Sequence, residues 1–139
     1  MISRVLVPMD KSEMAEHALR YALEAFPDAE ITVFHVVGEP SALWGEAASL
    51  ALADDIGQAA EEHASDVFDD ARAIADEYDR EIATDVQVGH PTRAILNAAE
   101  GFDTVVIGPH GGSLADRLLM GNVAETVFRR SPVPVTVVR

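Results

Sequence analysis

Apolar positions along this chain follow two rhythms that take turns. Short runs rich in β-branched residues occur at Val5-Leu6-Val7, closed by Pro8, and at Ile31 to Val37, closed by Gly38. Others occur at Ile82 to Val88, which alternates, at Thr104 to Ile107, and at Val133 to Val138. Runs of this length and composition predict five strands. Between them lie stretches with helical spacing. Ala15, Ala18, Leu19, Ala22 and Leu23 recur on one helical face, with Ser12 as N-cap and an end near Phe26. A long acidic helix is predicted from about Ile56 to Tyr78, a third from Pro91 to about Ala99, and a fourth over Val123 to Phe128. Residues 39 to about 53, Ala-rich with Pro40 and Gly45, read as a long connection or a loosely helical lid.

Strands alternating with helices predict an α/β fold: a three-layer open parallel sheet of five strands, order 3-2-1-4-5, with helices on both faces. Crossovers are right-handed, and ligands sit beyond the carboxyl ends of the strands where the winding reverses. Here that is between the first and fourth strands. The first ends at Pro8-Met9-Asp10. The fourth ends at a glycine loop, Gly108-x-x-Gly111-x9-Gly121, which feeds the last helix. A glycine turn leading into a helix N-terminus suits a phosphate chain, because the backbone can approach closely and the free amides favour negative charge. Gly-x-x-Gly alone equally describes a turn with no ligand.

At 139 residues and 48% hydrophobic content, the chain is expected to be one domain, residues 1–139, with a real core. No apolar run approaches the roughly 20 residues that span a bilayer. Met1-Ile2-Ser3-Arg4 leads straight into a strand without a signal-peptide layout, so a cytoplasmic protein is expected, with no membrane partner. The absence of Cys excludes thiol catalysis, disulfides and Cys-based zinc sites. Net charge is −14, from 24 acids against 10 bases, a field that opposes nucleic acid as a partner. Many acids fall between Asp54 and Glu81, including Glu61-Glu62 and Asp69-Asp70, which reads as a solvated helix face. Such acidity is expected of a halophilic protein adapted to molar salt, where the screening length shrinks to about 3 Å and global repulsion nearly vanishes.

Several nucleotide enzymes are excluded by their missing parts. Lys11-Ser12 lacks the preceding glycines of a P-loop, and Lys11 is the only lysine, so the late-strand lysine of a response regulator is absent. His17 and His63 lack ligand spacing, and no metal site is read there. Phosphoryl transfer needs positioned cations and an oriented water. Arg117 is a weak candidate cation and no convincing base is present, so no catalytic residue is assigned and any ATPase activity is expected to be slow or absent.

The chain resembles the universal stress protein family over nearly its whole length. Val5-Leu6-Val7-Pro8-Met9-Asp10 with Ser12 is similar to the family's first strand and turn, and His35-Val36-Val37 to the end of its second strand. Gly89-His90-Pro91 is similar to the start of the third helix, and Pro132 to Val138 to the last strand. Gly108-x-x-Gly111-x9-Gly121 matches the spacing of the ATP-binding branch, except that Asn122 stands where that branch has Ser or Thr.

The resemblance implies an adenine nucleotide alpha hydrolase-like fold and ATP (or AMP or ADP) in the crevice, with Mg²⁺ carried by the nucleotide. By matching position, Pro8, Met9, Asp10 and Val36 face the adenosine. Ile107, Gly108, His110, Gly111, Gly121, Asn122 and Val123 then hold ribose and phosphates. It also implies a regulatory role in stress response and a homodimer through Val133–Val138. The residues leave alternatives open. Asp10 suits a ribose hydroxyl or amino group but also an Asx turn or helix cap. Asn122 can cap the last helix and still donate to a phosphate. His110 fits a phosphate donor or an exposed loop residue, and Arg117 a phosphate ligand or a surface pair with Asp116 or Glu125. His35 reads as a structural histidine, and Trp44 as packing of the 39–53 segment or a cover for the site. The β-branched last strand invites pairing with a second copy, while Pro132 and Pro134 blunt it. Two other functions remain open: a dimeric interaction module that needs no nucleotide, and a slow ATP hydrolase.

Overall fold

The computed structural model describes residues 1–38, 53–109 and 121–139. Expectations resting on residues 39–52 (the lid and Trp44) and 110–120 (His110, Gly111, Asp116 and Arg117) lie outside the described residues. Five strands form one parallel sheet: β1 (Arg4–Pro8), β2 (Glu30–Val37), β3 (Ala83–Val88), β4 (Thr104–Ile107) and β5 (Val135–Val137), in the order β3-β2-β1-β4-β5. Among the described residues four helices connect them: α1 (Glu13–Ala25), α2 (Ala53–Glu77), α3 (Pro91–Ala99) and α4 (Asn122–Arg130).

The sheet has a core on each face. Alternate residues Val5, Val7, Ile31 and Val33 pack with α1 and α2 on one side. Leu6, Phe34, Val105 and Ile107 pack with α3 and α4 on the other. The inner strands β1, β2 and β4 thus bury both their faces, which is why they read as apolar runs, while the edge strand β3 alternates and stays largely exposed. The α1 face is the one its spacing predicts: Ala15, Ala18, Leu19, Ala22 and Leu23 are its buried residues. Small side chains there let the helix lie close to the sheet.

Several ends differ from the sequence expectation. α2 already includes Ala53, ahead of the expected start at Ile56. It stops at a left-handed residue, Asp79 (φ 54°), with Arg80 N–H donating back to Ala75 O at 3.0 Å, a C-terminal closure that glycine usually provides. α4 runs on to Arg130, with Arg129 and Arg130 suiting its negative end. β5 starts at Val135 instead of Val133, because its even-numbered residues face β4 and Pro134 has no N–H to extend the ladder.

At the amino edge of the sheet, Asp103 Oδ2 accepts from the N–H groups of Ser3 and Arg4 at 2.8 and 2.9 Å. These two bonds hold its carboxyl below the ordinary carboxylate range. Arg80 donates to Leu23 O and Ala29 O at 3.0 and 2.7 Å, closing the turn between α1 and β2. Among the described residues no helix is long and apolar enough to cross a membrane.

Candidate nucleotide cleft

After β1 the chain turns into α1 on one face of the sheet; after β4 it leads to α4 on the other. The sheet opens between these strands at its carboxyl edge, and a cleft of about 400 Å³ lies there. That volume falls in the usual range for small-molecule sites. Its walls are largely apolar: Phe34 and Val36 from β2, Pro91 and Ile95 from α3, Ile107 from β4, Val123 and Ala124 from α4. Pro8, Met9, Asp10, Gly108, Gly121 and Asn122 form the rim, with Ser12, Ala15 and His35 beside the β1 tip.

Every site residue expected from sequence that lies among the described residues borders this one cleft. Ser12, Ala15, Phe34, His35, Pro91, Ile95 and Ala124 were not foreseen. Pro91 and Ile95 stand four apart on one face of α3, a signal the sequence does carry, but their facing β2 depends on the crossover.

The β1 tip is held by a short chain of hydrogen bonds. Met9 N–H donates to Phe34 O at 2.8 Å, and His35 Nδ1 donates to Met9 O at 2.7 Å. Since a carbonyl only accepts, Nδ1 carries a proton. His35 is 4% exposed and borders the cleft, where its imidazole reaches the β1 tip. Asp10 Oδ1 accepts from Ser12 N–H at 2.8 Å, an Asx turn, and Ser12 Oγ caps α1 by accepting from Ala15 N–H at 3.2 Å. Asp10 is exposed, so its second oxygen remains available to a ligand hydroxyl.

At the other wall, Gly121 is the N-cap of α4 and Asn122 its first residue, with no side-chain capping bond. This corrects the expectation that Asn122 caps the helix: the cap position is one residue earlier, and glycine has no side chain to fill it. Gly121 N–H is also engaged, donating to Pro109 O at 2.6 Å. The open amides are therefore the first-turn N–H groups of Asn122, Val123 and Ala124, which no intrahelical carbonyl can reach. At Gly108 the missing side chain serves packing. A Cβ there would sit 2.9 Å from Met14 O and 3.0 Å from Met14 C, so α1 occupies the space a side chain would need.

The end of β2 offers a second pair of open main-chain groups. Phe34 O bonds to Met9 on the β1 side, and Val37 O accepts from Gly89 N–H at 2.9 Å on the β3 side. By alternation, Val36 N–H and C=O face β1. There the strand has ended, and no main-chain rung reaches Val36 from Met9. The cleft is lined by one carboxylate, Asp10, and by no Lys or Arg among the described residues. Among the described residues no group of three or more His, Asp or Glu side chains is placed to hold a metal.

A doubly wound parallel sheet opened between β1 and β4 is the adenine nucleotide alpha hydrolase-like architecture. The sequence model of the universal stress protein family matches residues 1–139, and the chain belongs to that family. Among solved structures it is similar to MJ0577, a universal stress protein of Methanocaldococcus jannaschii, with 29% identity, a TM-score of 0.75, and 99% of this chain and 96% of that one covered. A universal stress protein in complex with cAMP shares the fold at 22% identity and a TM-score of 0.72, covering 99% and 97%. So does a family member from Arabidopsis thaliana with AMP bound, at 15% identity and a TM-score of 0.68, covering 98% and 90%.

Proposed function

We propose that this chain is an ATP-binding regulatory protein of the stress response that holds the nucleotide in the cleft between β1 and β4. The observation that carries the reading is the pairing of two sets of open main-chain groups across one apolar cleft. Val36 N–H and C=O present a donor beside an acceptor, matching N1 and the N6 amino group of adenine, with Ile95, Ile107 and Pro91 as apolar walls for the ring. Asp10 accepts from the ribose. The amides of Asn122, Val123 and Ala124 take phosphate oxygens at the positive end of α4. The motif spacing adds His110 and Gly111 to the phosphate end. Bound AMP and cAMP in two proteins of this fold support an adenine ligand.

Mg²⁺ arrives on the phosphates, because Asp10 is the sole described carboxylate of the cleft. A described lining without a cationic side chain favours holding over hydrolysing, since phosphoryl transfer needs cations placed on the developing charge. Binding is therefore the activity, and any hydrolysis is slow.

The test is to denature purified protein, identify the released ligand by mass spectrometry, and titrate ATP and AMP in molar KCl. Binding with turnover near background, weakened about ten-fold by Asp10→Ala, is the expected result. No binding at any salt concentration would leave the nucleotide-independent dimer module. Steady phosphate release lost in Asp10→Ala or Gly111→Val would make the protein a hydrolase.

The β5 edge favours a homodimer. Val105 N–H donates to Pro134 O at 3.0 Å and Val138 N–H to Ile107 O at 2.9 Å, so even-numbered residues of β5 serve β4. Val135 and Val137 turn their main-chain groups outward. Their side chains are half-buried, and a second copy pairing there covers them.

A further inference from the structure

We propose that His35 is a positioning residue for the base: its imidazole captures the Met9 carbonyl, ends the β1–β2 ladder one rung early, and so leaves Val36 N–H open to a ligand acceptor. The inference rests on the nucleotide reading above and adds the residue that makes the base site.

The parity of the ladder carries it. Glu30 N–H donates to Ser3 O at 2.8 Å and Met9 N–H to Phe34 O at 2.8 Å, so odd residues of β1 face even residues of β2. Continuing the ladder would place Val36 N–H on Met9 O, since the register already runs to Pro8 opposite Phe34. That rung is missing, and Met9 O instead accepts from His35 Nδ1 at 2.7 Å. A side chain at position 35 is well placed for this. By strand alternation it leaves the sheet on the opposite face from Val36, and at the border of the cleft its ring reaches the carbonyl of the adjacent strand. Without the imidazole proton, Met9 O has a ready donor in Val36 N–H. The ladder then closes by one rung, and the base loses its partner. His35 thus controls whether the end of β2 is finished sheet or binding edge.

The experiment separates this device from the nucleotide reading. Amide hydrogen exchange on the ligand-free protein should show Val36 exchanging far faster than Thr32 and Phe34. In His35→Phe, which keeps the ring and lacks the donor, Val36 should become protected. His35→Asn, whose Nδ2 falls near the position of Nδ1, should restore the open state. AMP titrations should then show about ten-fold weaker binding in His35→Phe and recovery in His35→Asn. AMP should be compared with its 1-deaza analogue, in which C–H replaces the N1 acceptor. The wild type should discriminate between them, and His35→Phe should not, a readout that general destabilisation would not move.

Wild-type Val36 as protected as Phe34 would overturn the proposal, as would unchanged N1 discrimination in His35→Phe. If His35→Phe fails to fold, wild-type exchange and His35→Asn still decide. A wild type that binds no adenine nucleotide, with Val36 nonetheless open, defeats the nucleotide reading and removes the base this edge would serve.

Discussion

Gly108 shows how one residue can be read correctly for place and differently for reason. Its position after β4, in a spaced glycine motif, marks it for a ligand. The backbone of Met14 lies where its Cβ would be, so its smallness serves the approach of α1 to the end of β4. Gly108→Ala should therefore destabilise the fold itself, by about 1–3 kcal/mol, read as a lower urea midpoint in the absence of any nucleotide. Asp103 is a second residue whose part emerges only in three dimensions. Its partners Ser3 and Arg4 are far off in sequence, and their amides hold its folded pKa below the unfolded value. A depressed carboxyl contributes stability that is complete above its unfolded pKa, about 3.9, and is lost as pH falls through the folded value. In Asp103→Asn the amide oxygen still accepts but the charge is gone. The stability gap between wild type and variant should be constant near pH 6 and shrink towards about pH 3, followed by denaturant melts across that range.

At the scale of elements, the sequence was legible wherever an element's signal is local. The five buried positions of α1 follow from their spacing, and the strands from their β-branched runs. Ends were less legible. α2 closes on Asp79 in a left-handed conformation, although no glycine marks the stop. β5 loses Val133 because Pro134, the residue that faces β4 there, has no N–H to donate, a backbone limit that hydrophobic pattern does not register. The same strand carries a prediction. Val137 turns its N–H away from β4, so Val137→Pro removes an outward donor while sparing the rungs to β4. Light scattering after size exclusion should show a dimer for the wild type and a monomer for Val137→Pro. A monomeric wild type at high concentration would rule out edge pairing.

The whole molecule carries a net charge of −14. Its described ion pairs, including Lys11–Asp66 at 3.1 Å and Arg129–Glu125 at 3.1 Å, lie on the surface, where each contributes about 0–1 kcal/mol. They neutralise few of the 24 acids. Self-repulsion should therefore dominate at low salt and fade as the screening length falls to about 3 Å near 1 M. The melting temperature should rise with KCl into the molar range. Stability that is flat or declining with salt would contradict salt adaptation.

By itself the sequence determined the elements, their alternation, the parallel sheet and the crevice where its winding reverses, because each rests on spacing within a short stretch or on the handedness shared by all such crossovers. Tertiary structure alone decided which main-chain groups in that crevice stay open. Gly121 N–H is spent on Pro109, Asn122 N–H is open, and the β1–β2 ladder stops before Val36 while His35 holds Met9. A hydrogen bond belongs to two groups at once, and here the partner usually comes from a segment that hydrophobic pattern does not connect to the first.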